Sequence, residues 1–478
     1  MGRGKKKNRE KEDKRRRRAW SLVQIAVGPW LKKKFNFSFE DFDPSVIEGP
    51  VLLAVNHACA YDPLFAGVAF RKKPLTFIAS EHTIRMRPWG PLIDRYFSII
   101  PHQKGGRGSR TALIAMKRIK RGESVFLAVE GEQTWDGRPM PVMPYTGKLA
   151  KGSKATLVTY MIEGAYLSAP RWSLSTRRGR VYGHTVNVYS HEVLQSMSDE
   201  EVEEAIAKDL AFDTWEWQKT RLEGPVRYKC EKGGFADGLE RSVFTCPECG
   251  AMGTLRSQGD SISCSCGFKA RMLDTGFFEE GAPFETVADW EEYDRESLDK
   301  ILGGTVGTVP AVPLLQKNGS AGTVPNVPFC DDDIVLRRIL DGHRDEEAAR
   351  GSLTLTREDG AFMLRIGDFS FDLKKISNMT MVLANRIVFS DENGYYELLS
   401  NKQHRTNLRK YVIARDLLMK GYIIGLFSCK SRTMERDHSI RIYCRSSAYR
   451  LRAQTDSQAD TQEHDSCRCT GRIHPSHT

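Results

Sequence analysis

A histidine and an aspartate five residues apart are the strongest candidates for chemistry in this sequence. They lie in residues 56–63, NHACAYDP, directly after an apolar run at residues 51–55, VLLAV. The run predicts a short buried strand, and Asp62-Pro63 predicts a helix start with an acidic N-cap and proline at the first helical position. His57 would then lie at the carboxyl end of an α/β sheet, where ligands bind. Such an imidazole can accept a proton near neutral pH, and Asp62 can fix its tautomer and stabilise its cation.

Three later segments could hold a phosphate group. They are a glycine-rich basic turn at residues 104–110, a glutamate-glycine pair at the end of a predicted strand, and residues 146–148, TGK. All three are predicted in loops or at strand ends, where backbone amides and cations can bind an anion. The candidate contacts are Lys104, Arg107, Arg110, Glu130, Gly131 and Lys148. The glycine-rich segment could instead be an ordinary turn, and Glu130 could be a capping or solvated residue.

In this order the segments resemble the sequence blocks of glycerolipid acyltransferases of the 1-acylglycerol-3-phosphate acyltransferase type. Residues 56–62 match the first block of that family, N-H-x4-D, in full. Lys104 stands where the second block usually ends in Arg. Residues 128–133, AVEGEQ, stand where the family has F-P-E-G-T-R, so that Gln133 replaces an Arg. Residues 157–160 fall at the fourth block and lack its usual Pro, and the resemblance covers about residues 20–220.

The resemblance implies direct acyl transfer. His57, oriented by Asp62, would remove the proton of an acceptor hydroxyl as that oxygen attacks the acyl donor. Backbone amides near Gly131 would stabilise the oxyanion. The donor would be acyl-coenzyme A, an acylated carrier protein or an acyl phosphate. Cys59 offers an alternative as a thiol nucleophile, but the family needs no acyl-enzyme and small buried cysteines are common.

The departures from the family pattern concern the acceptor. In the family, the arginines of the second and third blocks are taken to grip the phosphate of the acceptor. Arg binds phosphate through a bidentate fork, whereas Lys104 offers a point charge and Gln133 offers none. Arg107, Arg110 or Lys148 could compensate. Lysophosphatidic acid is the first candidate acceptor, and a different lysolipid or a polar alcohol remains an alternative.

Four cysteines have the spacing of a zinc ribbon. They form two pairs, Cys246-x-x-Cys249 and Cys264-x-Cys266, separated by fourteen residues. Such paired cysteines can present four thiolates to one Zn²⁺ in a closed structural site. Cys230 could replace one ligand, and the alternative is a set of reduced structural cysteines. No organic cofactor is expected.

Composition and charge indicate a globular chain with a basic N-terminus. The 478 residues include 72 Lys and Arg against 61 Asp and Glu, a net charge of +11, and 40% are hydrophobic. Residues 1–18 are mostly basic and predict a disordered tail. Residues 19–31, AWSLVQIAVGPWL, are shorter than the ~20 apolar residues of a membrane span. With the following Lys32–Lys34 they predict either a helix in an anionic membrane interface or a helix packed on the core.

These features also set the expected location and partners. The segment lacks a secretory cleavage site, so we expect a cytoplasmic protein in a reducing compartment, peripheral on the inner face of a membrane. The expected partners are membrane lipid, the lysophospholipid acceptor and the acyl donor. A basic tail can also bind nucleic acid without specificity, but nucleic acid is not the expected partner.

Alternating strand and helix patterns over residues 35–189 predict an α/β domain with a mixed sheet flanked by helices. Strands are predicted at residues 75–79, 96–100, 124–129, 155–162 and 181–189. Helices are predicted at residues 110–121 and, after a capping box that begins at Ser198, up to about residue 210. Residues 352–399 predict a β meander, followed by a helix at residues 405–420, an order that resembles pleckstrin-homology-like or GRAM-like modules. A proline and glycine repeat within residues 303–329 predicts an extended linker.

Six segments are predicted in all. They are a disordered basic tail (1–18), an acyltransferase domain with an N-terminal interfacial helix (19–225), a zinc ribbon (226–280), a connecting segment and Pro/Gly linker (281–330), a β-rich module with a C-terminal helix (331–420) and an irregular tail (421–478). The predicted function is fatty acyl transfer to a lysophospholipid hydroxyl, with 1-acylglycerol-3-phosphate as first acceptor and phosphatidic acid as product. The rival is a non-catalytic lipid-binding adaptor whose zinc ribbon contacts protein or nucleic acid.

Overall fold

The structure is a computed structural model. It describes residues 3–85, 88–97, 99–102, 104, 109–303, 313–315, 321–323, 329–340, 344–400 and 405–430. Nearly all of these belong to one compact unit that ends at residue 423, and a second unit, residues 424–478, is described only over the end of a helix. Everything below concerns the first unit unless stated.

A mixed sheet forms the core of the N-terminal domain and confirms the predicted α/β class. The first eight strands are β1 (Phe37–Phe39), β2 (Val51–Val55), β3 (Leu75–Ser80), β4 (Ile100–His102), β5 (Ser124–Ala128), β6 (Thr156–Glu163), β7 (Arg177–Arg178) and β8 (Val181–Tyr189). Seven of them form one sheet in the order β1-β8-β6-β2-β5-β3-β4. The pair β6–β8 is antiparallel and the other neighbours are parallel.

The centre of this sheet brings three strand ends together. β2 pairs in parallel with β5 and β6, with Val55 opposite both Ala128 and Tyr160. All five residues of β2 are buried, as a continuous apolar run requires when a parallel strand is covered on both faces. Segments that follow β2 and β5 therefore leave the same edge of the sheet side by side.

Helices flank the sheet. They are α1 (Arg3–Phe35), α2 (Asp62–Ala69), α3 (Glu81–Arg85), α4 (Trp89–Phe97), α5 (Ser109–Ile119), α6 (Thr146–Ser153), α7 (Ala165–Ser168), α8 (His191–Ser196), α9 (Asp199–Asp209) and α10 (Thr214–Lys219). The capping box at the start of α9 is confirmed, because Ser198 accepts from the Glu201 N–H and the Glu201 side chain accepts from the Ser198 N–H.

The basic N-terminal segment differs from the prediction. Residues 3–18 are helical, as the first half of α1, and not disordered. Lys, Arg and Glu are strong helix formers, and Arg16 pairs with Glu123 at the start of β5, which holds this part of the helix against the domain. The apolar second half packs inward through Trp20, Leu31 and Phe35.

The strand predicted at residues 96–100 is also wrong in part. Tyr96 and Phe97 end α4, Ser98 lies outside the described residues, and the strand begins at Ile100. Trp89, Ile93 and Phe97 recur at a spacing of four, which suits a helix better than a strand.

A small cysteine-bearing region follows. It contains β9 (Lys229–Cys230), β10 (Arg256–Gln258), β11 (Ser261–Ser263), β12 (Lys269–Arg271) and the helix α11 (Val287–Gly303). β10, β11 and β12 form an antiparallel sheet, and β9 pairs with β7 of the preceding domain. This pairing ties the region to the N-terminal domain.

The C-terminal region is an antiparallel sheet followed by a helix, as predicted. Its strands are β15 (Phe329–Leu340), β16 (Arg344–Glu358), β17 (Ala361–Ile366), β18 (Phe369–Asp372), β19 (Ser377–Met381), β20 (Arg386–Ser390) and β21 (Tyr395–Ser400), after the short pair β13 (Pro313–Leu315) and β14 (Ala321–Thr323). The seven long strands have the order β18-β17-β16-β15-β21-β20-β19. The rest of the predicted linker repeat lies outside the described residues.

The last helix is longer than predicted. α12 runs over Arg409–Lys430, not 405–420, so the segment expected to be irregular from residue 421 is helical up to residue 430. A single helical glycine such as Gly421 costs only about 1 kcal/mol, which an otherwise apolar run can offset. Residues 431–478 lie outside the description. Among the described helices, none combines the length and apolarity that crossing a membrane needs.

Candidate active site

The structure brings His57 and Asp62 together at the carboxyl end of β2. Nδ1 of His57 lies 2.8 Å from Oδ2 of Asp62, and the Asp62 side chain is fully buried while the imidazole is partly exposed. Asp62 is the first residue of α2 and Tyr61 is its N-cap, so the predicted capping role of Asp62 is wrong. Its carboxylate instead turns back and accepts from the backbone N–H of Cys59 at 2.9 Å. Oδ2 of Asp62 therefore contacts both the Cys59 N–H of the turn and Nδ1 of the His57 ring.

Asn56 fixes the chain just before the histidine. Its side-chain amide donates to the carbonyl of Ile162 at 3.1 Å and accepts from the Ile162 N–H at 2.8 Å. These two bonds continue the pairing of β2 with β6 beyond Val55 through a side chain. Because Asn56 is buried, the start of the His57 turn is set by the sheet itself.

Cys59 is placed as a structural residue. The thiol is fully buried, and Sγ lies 3.4 Å from Oδ1 of Asp62. Burial raises the pKa of the thiol well above its usual value, and the Asp62 carboxylate raises it further. A nucleophilic cysteine needs an accessible thiolate, and the buried thiol of Cys59 does not meet this requirement.

The segment after β5 wraps around His57. The Val129 N–H donates to the Val55 carbonyl at 3.2 Å, and the His57 carbonyl accepts from the Thr134 N–H at 3.0 Å. Residues 129–134 are thereby held at both ends to residues 55–57. Burial raises the pKa of Glu130 to about 8.

Gly131 forms the sharp turn of this segment. Its φ of +69° lies in the left-handed region, which favours glycine, and a Cβ would come within 2.5 Å of the Met143 sulfur, so that Met143 would have to shift. Its N–H, which the sequence suggested as an oxyanion donor, is bonded to the Ala128 carbonyl at 3.1 Å. Gly131 therefore shapes the turn, and its own amide is already engaged.

A charged cluster lies beside this segment, and sequence reasoning found only one of its members. Arg171, in the loop after α7, places Nη1 2.5 Å from Oε1 of Glu132 and 3.4 Å from the Gln133 carbonyl. Its guanidinium stacks over Trp135 at 4.5 Å. A guanidinium thus stands next to Gln133, the position where the family pattern has an arginine. No motif in the sequence surrounds Arg171, so only the tertiary fold reveals it.

Lys104 completes this cluster. The positive charge of Lys104 interacts with Glu132 and is repelled by Arg171, and burial lowers the pKa of Lys104 to about 8. Burial alone would raise the pKa of Glu132, but Arg171 and Lys104 together lower it to about 2. The charges of two cations, Arg171 and Lys104, therefore act on Glu132, a carboxylate within the segment that wraps His57.

The C-terminal sheet contacts the same cluster. Thr380 of β19 donates to Glu132 at 2.8 Å, and the Met381 carbonyl accepts from Lys104 at 3.4 Å and from Arg171 at 2.9 Å. Tyr395 of β21 donates to the Lys104 carbonyl at 2.9 Å. The C-terminal sheet is therefore part of the surroundings of the candidate site.

The other predicted phosphate contacts lie elsewhere or are not described. Arg107 lies outside the described residues. Arg110 is exposed in the first turn of α5, and Lys148 is exposed on α6, a helix that contacts α5, α8 and α9. The contacts of these exposed side chains give no support for a place in the charged cluster.

A second candidate site is formed by the four predicted cysteines. The Sγ atoms of Cys246, Cys249, Cys264 and Cys266 all lie within 4.8 Å of one another. Two of the separations are 3.7 Å and 3.8 Å. Four sulfurs at about 2.3 Å from one tetrahedral metal ion would be about 3.8 Å apart, so the donor set fits such an ion. Among the described residues the group does not include Cys230, which lies in β9.

Two comparisons with known proteins find similarity to acyltransferases. A search of curated proteins finds no match. Among solved structures, the chain is similar to the 1-acyl-sn-glycerophosphate acyltransferase PlsC of Thermotoga maritima, with 18% identity and a TM-score of 0.35 over 46% of this chain and 85% of that chain. The model of the acyltransferase family matches residues 34–163, a range that includes His57, Asp62, Lys104 and Glu130.

Proposed function

We propose that the protein is an O-acyltransferase that moves a fatty acyl group from an activated donor to a hydroxyl of a lysophospholipid. The first candidate acceptor is 1-acylglycerol-3-phosphate, which would give phosphatidic acid. The observation that carries the proposal is the His57–Asp62 hydrogen bond of 2.8 Å at the carboxyl end of β2, inside the acyltransferase domain. A partly exposed imidazole backed by a buried carboxylate suits general-base catalysis.

In the proposed reaction His57 acts on the acceptor hydroxyl. Because Nδ1 of His57 is directed at Asp62, it carries the ring proton and Nε2 is left as the base. Nε2 takes the hydroxyl proton as the acceptor oxygen forms a bond to the carbonyl carbon of the donor. The carbon–sulfur bond of a thioester, or the carbon–oxygen bond of an acyl phosphate, then breaks, and the imidazolium returns the proton to the leaving group. No acyl-enzyme is formed, which agrees with the burial of Cys59.

The charged cluster supports an anionic acceptor. Lys104 and Arg171 carry two positive charges against the single carboxylate of Glu132, which leaves the cluster net positive. Cations near a site attract phosphate-bearing ligands. This favours a lysophospholipid over an uncharged alcohol.

A labelled acyl donor and a panel of acceptors test this proposal. The panel contains 1-acylglycerol-3-phosphate, lysophospholipids with larger headgroups and monoacylglycerol, each with the same acyl chain. We expect turnover with the phosphate-bearing acceptors, highest with 1-acylglycerol-3-phosphate. The absence of transfer to every acceptor with each class of donor would contradict the enzyme and favour the lipid-binding adaptor.

We further propose that α1 rests on an anionic membrane surface on the cytoplasmic side. Its residues Leu22, Ile25 and Trp30 are 68%, 74% and 42% exposed, and their spacing places them on one face of the helix. Exposed Lys32 and Lys33 follow, and such a basic and apolar face suits an interfacial helix. Sedimentation with phosphatidylglycerol vesicles tests this: Leu22→Glu with Ile25→Glu should abolish binding, and unchanged binding would contradict it.

We also propose that the four-cysteine site holds a structural Zn²⁺. Cys246, Cys249, Cys264 and Cys266 would supply all four ligands, and such a closed site fixes the fold of the surrounding loops. Tight turns hold each pair, because Gly250 N–H bonds the Cys246 carbonyl at 2.9 Å and Gly267 N–H bonds the Cys264 carbonyl at 3.1 Å.

A further inference from the structure

The turn between β19 and β20, residues 382–385, and the last residue of β19 hydrogen-bond the two cations beside the candidate active site. The Leu383 carbonyl in this turn accepts from Nε of Arg171 at 3.2 Å and from Nη2 at 3.0 Å. The Met381 carbonyl accepts from both Arg171 and Lys104. Thr380, just before the turn, donates to Glu132, and the His57 carbonyl accepts from Thr134, two residues after Glu132.

Arg171 has no donor left for another ligand in this arrangement. A guanidinium has five N–H groups. Nε contacts Leu383, Nη1 contacts Glu132 and Gln133, and Nη2 contacts Met381 and Leu383. The oxygens of the turn and of Glu132 surround the guanidinium as the oxygens of a phosphate would.

We propose that the β19–β20 turn is the resident occupant of an anion site formed by Lys104 and Arg171, and that the phosphate of the acceptor displaces it. This rests on the proposed function. The turn and the phosphate of the acceptor then compete for the same two cations, Lys104 and Arg171. Arg171 provides the guanidinium that the third sequence block lacks, and it becomes available only when the turn leaves.

Leu383 is the exposed residue of the turn, at 43%, whereas Val382 and Ala384 beside it are buried. β19 is an edge strand that pairs only with β20 in its sheet, and the pairing is interrupted by a register shift between Ser377 and Thr380. Leu383 has a φ of +59°, in the left-handed region, which a leucine occupies only under strain. Weak pairing and backbone strain both lower the cost of opening this segment.

The remainder of the sheet is anchored independently of the turn. Glu397 of β21 is 1% exposed and pairs with Arg386 at 2.6 Å and with Arg85 of α3 at 3.4 Å. At the start of α12, Arg409 pairs with the buried Glu291 and stacks over Trp135 at 4.9 Å. Breaking such buried pairs is costly, so the proposed displacement leaves β21 and α12 in place.

A kinetic comparison of two variants tests the competition. Thr380→Val removes the hydroxyl that contacts Glu132 and leaves Lys104, Glu132 and Arg171 unchanged. Ser352→Ala is the matched control, because the Ser352 hydroxyl also donates to a carboxylate, that of Asp332, but does so between β16 and β15, which β21 and β20 separate from β19. When the hydrogen bonds of the turn are weakened, the acceptor displaces it more easily and binds more tightly. Thr380→Val should therefore lower KM for 1-acylglycerol-3-phosphate by about three- to tenfold, the effect of one hydrogen bond. Ser352→Ala should leave KM unchanged. An equal or higher KM in Thr380→Val would overturn the proposal.

Hydrogen exchange on the wild-type protein gives an answer that does not depend on turnover. A short-chain 1-acylglycerol-3-phosphate should raise the exchange rate of backbone amides in residues 377–388 severalfold. Inorganic phosphate should do so only at higher concentration, and monoacylglycerol of the same chain should have no effect. Unchanged or slower exchange with the phosphate lipid, or equal acceleration by monoacylglycerol, would overturn the proposal. If the phosphate lipid opens the turn but no acceptor is ever acylated, the proposed function fails while this inference stands.

Discussion

Asn56 bonds both the N–H and the carbonyl of Ile162, at 2.8 Å and 3.1 Å, and so stands in for a strand residue between β2 and β6. The residue before the candidate base is thereby fixed to β6, the neighbour of β2 in the sheet. The hydrogen bond to Asp62 then fixes the orientation of the His57 ring. This explains in physical terms why an asparagine precedes the histidine.

The first prediction concerns this bridge. Asn56→Ala should lower the free energy of unfolding by about 1–3 kcal/mol, because it leaves a buried N–H and a buried carbonyl without partners. It should also lower kcat on the order of ten- to a hundredfold, because the base is no longer held in register. Urea unfolding and steady-state assays measure the two effects. Asn187→Ala, which removes an exposed bond to Asp209, is the control and should change neither by more than a small fraction of these amounts.

The second prediction concerns the pH dependence of stability. Burial raises the pKa of Glu130 from its ordinary 4.5 to about 8. The folded protein therefore holds this proton more tightly than the unfolded chain does. The resulting stability is fully present below pH 4.5 and is lost as the pH rises through 8. Glu130→Gln, which stays neutral, should match the wild type near pH 4.5 and exceed its free energy of unfolding above pH 8. Parallel stability curves for the two proteins across this range would contradict the raised pKa.

The third prediction concerns the four cysteines. Freshly purified protein should contain about one zinc per chain, since the sulfur separations fit one tetrahedral ion. Cys246→Ser should lose the zinc and lower the melting temperature of the protein, because metal binding there would also be folding energy. Cys230→Ser, which changes a cysteine outside the group, should keep the metal. Metal analysis of the purified proteins decides the point, and wild-type protein without zinc would remove the proposal.

Much of the fold is visible in the sequence because the signals are local. The apolar run of β2, the alternation of β8 and the capping box before α9 each depend on residues a few positions apart. The same holds for the His57–Asp62 pair, which is separated by one turn of chain. The first half of α1 differs from the prediction because a run of charged residues is typical of disorder, although the same residues favour helices.

The charged cluster could not be predicted, because it is assembled from distant parts of the chain. Arg171 stands beside Gln133 only through the loop after α7, and Thr380 reaches Glu132 across 248 positions. No local pattern marks either residue. A guanidinium therefore lies beside Gln133 through tertiary contacts and not through a motif.

The most direct measurement of the central claim is the rate of acyl transfer in three proteins with one labelled donor and 1-acylglycerol-3-phosphate. His57→Ala should lose about 10²–10⁴-fold in kcat, the usual contribution of a general base, while circular dichroism shows an intact fold. Cys59→Ala should stay within a few-fold of the wild type, and no acyl-thioester should be trapped on the wild type by acid quenching. A His57→Ala variant that retains wild-type turnover, or a Cys59→Ala variant that is inactive while a labelled thioester accumulates on the wild type, would contradict the account.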